Sequence, residues 1–253
     1  MSIRASTTTD GIGYCDLVII ATKAGQVEDA ARASLSLIGP STVVQTIQNG
    51  LGSAELVAAI VNPNQLAVGV VGGFGASLVI PGHVHHNGME MVRFGSYAGL
   101  SRDDLQRVAN IWESSGFTVK LFTDTDQMVW EKLILNVAFS ATTCLSGFTI
   151  GQVLANEHLW KVARSCIEEA VHIATAKGIN LNVDDPIAYV SALGHKIADA
   201  RPSMLLDHLA HRRSEIDVIN GAISSEAAKV GLSAPVNATV TSLVKAREEE
   251  FAS

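Results

Sequence analysis

The spacing of hydrophobic positions along this 253-residue chain changes near its middle. Up to about residue 122 the apolar runs are short and β-branched and end on polar or glycine positions, as in DLVIIATKA (16–24) and STVVQTIQNG (41–50). A helical stretch, VEDAARASLSLI, lies between those two. Further strands are predicted in LAVGVVGGFGASL, HVHH, MVRFG and TVKLF, with a helix over SRDDLQRVANIWESSG closed by Gly116. Asn87-Gly88 between HVHH and MVRFG predicts that those two runs form a hairpin, because this dipeptide suits a tight turn. Strands alternating with helices read as α/β.

Beyond Phe122 the period becomes 3.6, and the pattern predicts helices over about 125–144, 152–178, 186–199, 203–230 and 235–251. TDTD at 123–126 supplies capping side chains, and Gly178, Gly194 and Gly231 stand where helices can stop. The expected organisation is an α/β domain over 1–123 followed by an all-α domain over 124–253, with no Pro/Ser-rich linker and no internal repeat.

Composition narrows the function. With 47% hydrophobic residues the chain can bury a substantial core, and its net charge of -7 gives no electrostatic footprint for nucleic acid. A small molecule or a protein is the expected partner. Every apolar stretch is broken well before the ~20 residues a membrane-spanning helix needs. The N-terminal MSIRASTTTDGIGY lacks the apolar core of a signal peptide. Three widely spaced cysteines, Cys15, Cys144 and Cys166, fit reduced thiols in a cytoplasmic protein better than a disulfide framework.

Several polar residues stand where chemistry could be done. Lys132, Asn136 and Ser140 follow an i, i+4, i+8 spacing in an otherwise apolar helix, which puts them on one face. A lysine buried there would lose hydration, and desolvation would lower its pKa and make it a better proton donor near neutrality. A lysine that snorkels to solvent fits that helix equally well. Ser203, Asp207, His211 and Glu215 are spaced by four and would share a face of the 203–230 helix, a pattern that a solvated surface also produces. Lys23 and Asn49 follow buried-type strands, at the carboxyl ends where open parallel sheets bind ligands, although ordinary turn chemistry accounts for Asn49-Gly50 as well. His83, His85 and His86 lack an acidic or cysteine neighbour at metal spacing, so no metal site is predicted. Gly72, Gly73 and Gly75 lack the GxGxxG spacing and read as a strand feature where backbones approach closely.

Taken in order, DLVIIATKAGQVEDA, QNGLG, WEKLILN and SMLLDHLAHRRSEIDVING resemble the ketopantoate reductase family from about Asp16 to the C-terminus. The resemblance implies an incomplete Rossmann-like parallel sheet that binds NADPH (NADP), followed by an all-α C-terminal domain that closes the cleft. The implied activity is reduction of ketopantoate to pantoate in pantothenate biosynthesis. Carried over by motif position, Lys132 would protonate the substrate carbonyl oxygen. Glu215 would accept a hydrogen bond from the substrate hydroxyl and hold Lys132, while Asn136 and Ser203 would hold substrate oxygens. Lys23 and Asn49 would line the cofactor side. This division of labour suits a 2-keto acid, which needs a proton donor at the ketone and polar groups for its carboxylate and hydroxyl.

The sequence departs from the family pattern in three places. SATTC stands where members usually have Asn-Pro-Leu-Thr-Ala, so Ser140 replaces a substrate-contacting asparagine. Pro202 replaces a serine before Ser203, a change that a helix start tolerates. The opening strand, GxGxxG turn and helix of the family are not in this sequence, leaving no cradle for a pyrophosphate and no residue to select the ribose phosphate. Two alternatives follow: a reductase of another small 2-keto acid, or a catalytically silent chain that binds a metabolite or partner. The missing neighbour of DLVIIA also predicts an exposed hydrophobic edge, and hence either a homo-oligomer or residues 1–15 packed over it.

Overall fold

The computed structural model describes residues 4–72, 75–88 and 91–252 and divides into two compact units. One comprises the residues up to Gln48 together with Gly52–Met128, and the other Asn49–Leu51 together with Val129 onward.

In the first unit the chain runs through β1 (Leu17–Ile20), α1 (Val27–Ala33), β2 (Val43–Thr46), α2 (Ser53–Ala58), β3 (Leu66–Gly72), β4 (Gly75–Ile80), β5 (His83–Gly88), β6 (Met91–Ser96), α3 (Arg102–Ser114) and β7 (Val119–Phe122). Five strands form a sheet in the order β1-β2-β3-β6-β7. Its pairs are parallel except β3 with β6. Both faces of the sheet are covered, as the near-continuous apolar runs require. Val44 and Leu66 pack with Val27, Ala31 and Val57 on one side, while Val43, Ala67 and Phe94 pack with Leu105 and Val108 on the other. Neighbouring Val43 and Val44 thus serve opposite cores, as the period of two dictates.

The hairpin expected across Asn87-Gly88 is not formed. β5 pairs with β4 across Pro81-Gly82, and β6 pairs with β3 and β7. The apolar Val92 and Phe94 of β6, both fully buried, belong to the central sheet, and that burial outweighs a local turn preference. The short helix α2 was not foreseen either. Gly72 closes β3 and Gly75 opens β4, whereas Gly73 lies outside the described residues. Among the described residues β1 pairs with β2 alone, and Ile19 on it is 39% exposed.

The helical part consists of α4 (Thr125–Ser146), α5 (Ile150–Ala155), α6 (Glu157–Ala176), α7 (Pro186–Lys196), α8 (Ser203–Leu209), α9 (Asn220–Lys229) and α10 (Pro235–Glu248). Asp124 caps α4 by accepting the Gln127 N–H at 2.8 Å. The core of the second unit gathers around α4, with Leu133, Ile134, Val137, Phe139 and Cys144 packed on Cys166, Ile167, Val190, Ile219 and Val240.

The helix expected over 152–178 is two helices. Asn156 turns its side chain onto the N–H groups of His158 and Leu159, at 3.1 Å each, and starts α6 afresh. Gly194 does not end a helix but sits inside α7, where a Cβ would come within 2.8 Å of the Phe139 ring and 2.9 Å of Leu154. Close helix packing, not chain reversal, requires glycine there. Among the described residues no helix is long and apolar enough to cross a membrane, and no group of three or more His, Cys, Asp or Glu side chains is arranged to hold a metal ion.

Candidate active site

Helix α4 carries Lys132, Asn136 and Ser140 on one face, the first two half-buried and Ser140 buried. Leu133, Ile134, Val137 and Ala138 beside them are fully packed, so this polar stripe borders a rigid core. A buried amide pair fixes the helix further. Asn220, the first residue of α9, donates through Nδ2 to the Val137 carbonyl at 3.0 Å and to Asn237 Oδ1 at 2.9 Å. Asn237 donates in turn to the Cys166 carbonyl (3.1 Å) and to Glu169 Oε2 (2.8 Å), and Glu169 also accepts the N–H groups of Val236 and Asn237. One network thus ties α4, α6, α9 and α10 together, and burial makes each of its bonds costly to lose.

The turn after β2 brings Asn49 to the second unit. Gly50 has φ +79°, and the Leu51 N–H donates to the Val218 carbonyl at 2.9 Å. A Cβ on Gly50 would fall against the Val218 carbonyl oxygen, with the carbonyl carbon only 2.6 Å away. Only glycine allows that approach, which holds half-buried Asn49 beside the 3-10 turn Ile216–Val218. Glu215 immediately precedes that turn and is also half-buried.

The expected 203–230 helix is broken, so Ser203, Asp207, His211 and Glu215 do not share a face. α8 ends at Leu209, and His211 takes the left-handed φ of 51° that terminates it. Buried Asp207 anchors the turn: its carboxylate meets Arg212 Nη2 at 3.1 Å and its carbonyl accepts the Arg212 N–H at 2.8 Å. Ser203 is exposed at the start of α8. Glu215 lies beyond a non-helical stretch, immediately before the 3-10 turn Ile216–Val218.

Lys23 belongs to the first unit, exposed just after β1 at the start of the 3-10 turn Ala24–Gln26. Gln48, last residue of that unit before Asn49, donates from Nε2 to the carbonyls of Ile20 (2.8 Å) and Thr22 (3.1 Å), clamping the end of β1 to the end of β2.

Residues 2–99 match the family model described as ketopantoate reductase PanE/ApbA, and residues 124–248 match its C-terminal counterpart, ketopantoate reductase PanE/ApbA C terminal. A 2-dehydropantoate 2-reductase of Streptococcus pyogenes serotype M18 is 30% identical over 241 residues, 95% of this chain and 78% of that protein. The chain belongs to the ketopantoate reductase family. A 2-dehydropantoate 2-reductase of Archaeoglobus fulgidus is 28% identical over 92% of the chain and 76% of its own length. Among solved structures, a PanE/ApbA family ketopantoate reductase from Ralstonia eutropha aligns with a TM-score of 0.85 at 26% identity, over 96% of this chain and 78% of that one. D-mandelate dehydrogenase, in a ternary structure with NADH and anilino(oxo)acetate, aligns with a TM-score of 0.88 at 26% identity, over 94% and 77%.

The ketopantoate reductase family is one of oxidoreductases, and the chain has a sheet unit followed by a helical unit, matched in turn by the family's two models. The second unit holds Lys132, Asn136, Ser140, Asn49, Ser203 and Glu215, and the first holds Lys23. Sequence reasoning passed over Gln48 and Asn220 and took Gly50 for ordinary turn chemistry. Gln48 and Gly50 flank Asn49, whereas the long-range partners of Asn220 leave no periodic trace.

Proposed function

We propose that this chain reduces ketopantoate to pantoate with NADPH, using Lys132 as the proton donor. The observation that carries the reading is a half-buried lysine on a tightly packed helix, in one compact unit with the Gly50-locked Asn49 turn and Glu215. A nicotinamide cofactor would supply the hydride. Its fit to the residues present is partial: Lys23 is an exposed cation just after the end of β1, where open parallel sheets bind dinucleotides, and Asn49 is a cofactor-side residue by motif position alone. The sequence contains no GxGxxG turn for the pyrophosphate. On the substrate side, Lys132 would deliver its proton to the ketone oxygen, Asn136, Ser140 and Ser203 would hold carboxylate and hydroxyl oxygens, and Glu215 would accept from the substrate hydroxyl. The three cysteines, all free, fit action in the reducing cytoplasm.

A second reading, reduction of another small 2-keto acid, is favoured by Ser140 in place of the family's asparagine and by the likeness to D-mandelate dehydrogenase, with its NADH and anilino(oxo)acetate. The test is oxidation of NADPH and of NADH by the purified protein with ketopantoate and with aryl and alkyl 2-keto acids. Ketopantoate-dependent oxidation of NADPH that falls by roughly 10²- to 10⁴-fold in Lys132→Ala supports the first reading. A preference for another keto acid transfers it to the second, and binding without turnover of any of them leaves a silent chain. We also propose a homo-oligomer joined at the edge of β1, which pairs with β2 alone among the described residues. A monomer at all concentrations in analytical ultracentrifugation would refute this.

A further inference from the structure

We infer that Glu248, the last residue of α10, is a positioning residue that sets Glu215 for its work. The carboxylate of Glu248 is only 9% exposed, and charge is not kept out of water without compensation. Its Oε1 accepts the backbone N–H of Ser214 at 2.7 Å and lies 3.1 Å from Nε2 of His208, whose side chain is 1% exposed. Phe251, three residues further on, closes the arrangement: its ring meets His208 edge-on with centroids 4.9 Å apart and His211 at 5.4 Å.

The loop between α8 and the 3-10 turn therefore has two polar anchors. At its start Asp207 grips Arg212, and at its end Glu248 grips Ser214, the residue bonded directly to Glu215. The backbone there is no longer helical, since α8 has ended at Leu209 and His211 has turned the chain. Ser214 and Glu215 share one planar peptide unit, so releasing the Ser214 amide loosens the backbone from which the Glu215 side chain projects. A misplacement of ~1 Å at a reacting group can cost on the order of 10²-fold in rate. A carboxylate on the final helix thereby holds the presenting loop without touching substrate itself.

Only the kinetic consequence rests on the reductase reading; the clamp is testable without it. Amide hydrogen exchange at Ser214 in the full chain is expected to accelerate roughly tenfold in Glu248→Ala, which removes the acceptor, and to stay near wild type in Glu248→Gln, whose amide oxygen still accepts. Should the alanine variant fail to fold, Glu248→Asp, one methylene shorter, carries the same expectation. In turnover, Glu248→Ala should lower kcat/KM for the keto acid by ~10- to 100-fold while leaving cofactor affinity unchanged, Glu248→Gln should rescue, and adding Glu248→Ala to Glu215→Ala should cost little more. Unchanged Ser214 exchange, a parallel loss of cofactor and keto-acid binding, or full additivity with Glu215→Ala would overturn the inference. A wild-type chain that turns over no keto acid would remove the reductase reading alone, and the exchange result would still decide the clamp.

Discussion

Gly50 and Gly52 offer a controlled comparison of what holds Asn49 in place. Both have left-handed backbones, at φ +79° and +95°, but a Cβ on Gly52 meets nothing within 4 Å, whereas one on Gly50 strikes the Val218 carbonyl. Gly52→Ala should therefore cost only the conformational penalty of an alanine at positive φ, about 1–2 kcal/mol. Gly50→Ala adds to that the forced separation from Val218 and the loss of the Leu51 N–H bond to its carbonyl. Such a bond contributes about 0.5–1.5 kcal/mol, giving a total of about 1.5–3.5 kcal/mol. The predicted excess of Gly50→Ala over Gly52→Ala is about 0.5–1.5 kcal/mol, a factor of roughly 2 to 13 in an equilibrium constant. Urea titration of each variant, with hydrogen exchange followed at the Leu51 amide, measures both parts. In Gly50→Ala that amide should lose its protection, and in Gly52→Ala it should keep it. Equal destabilisation of the two variants, or a protected Leu51 in Gly50→Ala, would refute the claim that close approach to Val218 fixes the turn.

Two further outcomes follow from the buried ionisable groups. Burial pushes the thiols of Cys144 and Cys166 up to about 12, so iodoacetamide on the native protein at neutral pH should label Cys15 alone of the three, with all three labelled in denaturant, as read by intact mass. Burial pushes the Glu226 carboxyl up, but the ammonium groups of Lys177 and Lys229 hold it below its ordinary value of 4.5. A folded-state pKa below the unfolded one contributes stability that is present above about pH 4.5 and is lost as pH falls through the folded value. Denaturation between pH 6 and 3 should therefore show a flatter decline for Glu226→Gln, by about 1 kcal/mol, than for the wild type; identical slopes would remove Glu226 from that role.

What could be read from the chain followed the range of the forces involved. The period of two in DLVIIA and the 3.6 period after Phe122 are local patterns, and they located most elements of the sheet and the helical half because each element buries its own apolar face. The lysine, asparagine and serine of α4 were legible for the same reason, since helical spacing alone places them on a common face. The misses came where a distant partner outweighed a local preference. Asn87-Gly88 signalled a hairpin, but Val92 and Phe94 are worth more inside the central sheet. Gly194 resembled a helix stop, and its actual neighbours are Phe139 and Leu154.

The candidate site divides along the same line. Sequence alone determined most of the succession of elements, the residues on the Lys132 face and the family motifs, all set by neighbours within a few positions. Only the tertiary structure decided that Ser203 and Glu215 lie on different elements, that Gly50 and Leu51 beside Asn49 are pinned to Val218, and that Asn220 and Glu248 brace the surroundings. Those arrangements depend on hydrogen bonds spanning 17 to 167 residues, from Asn220 to Asn237 and from Leu51 to Val218. Such contacts form only once the helices have packed and water has left, and burial then makes each polar partner hard to replace.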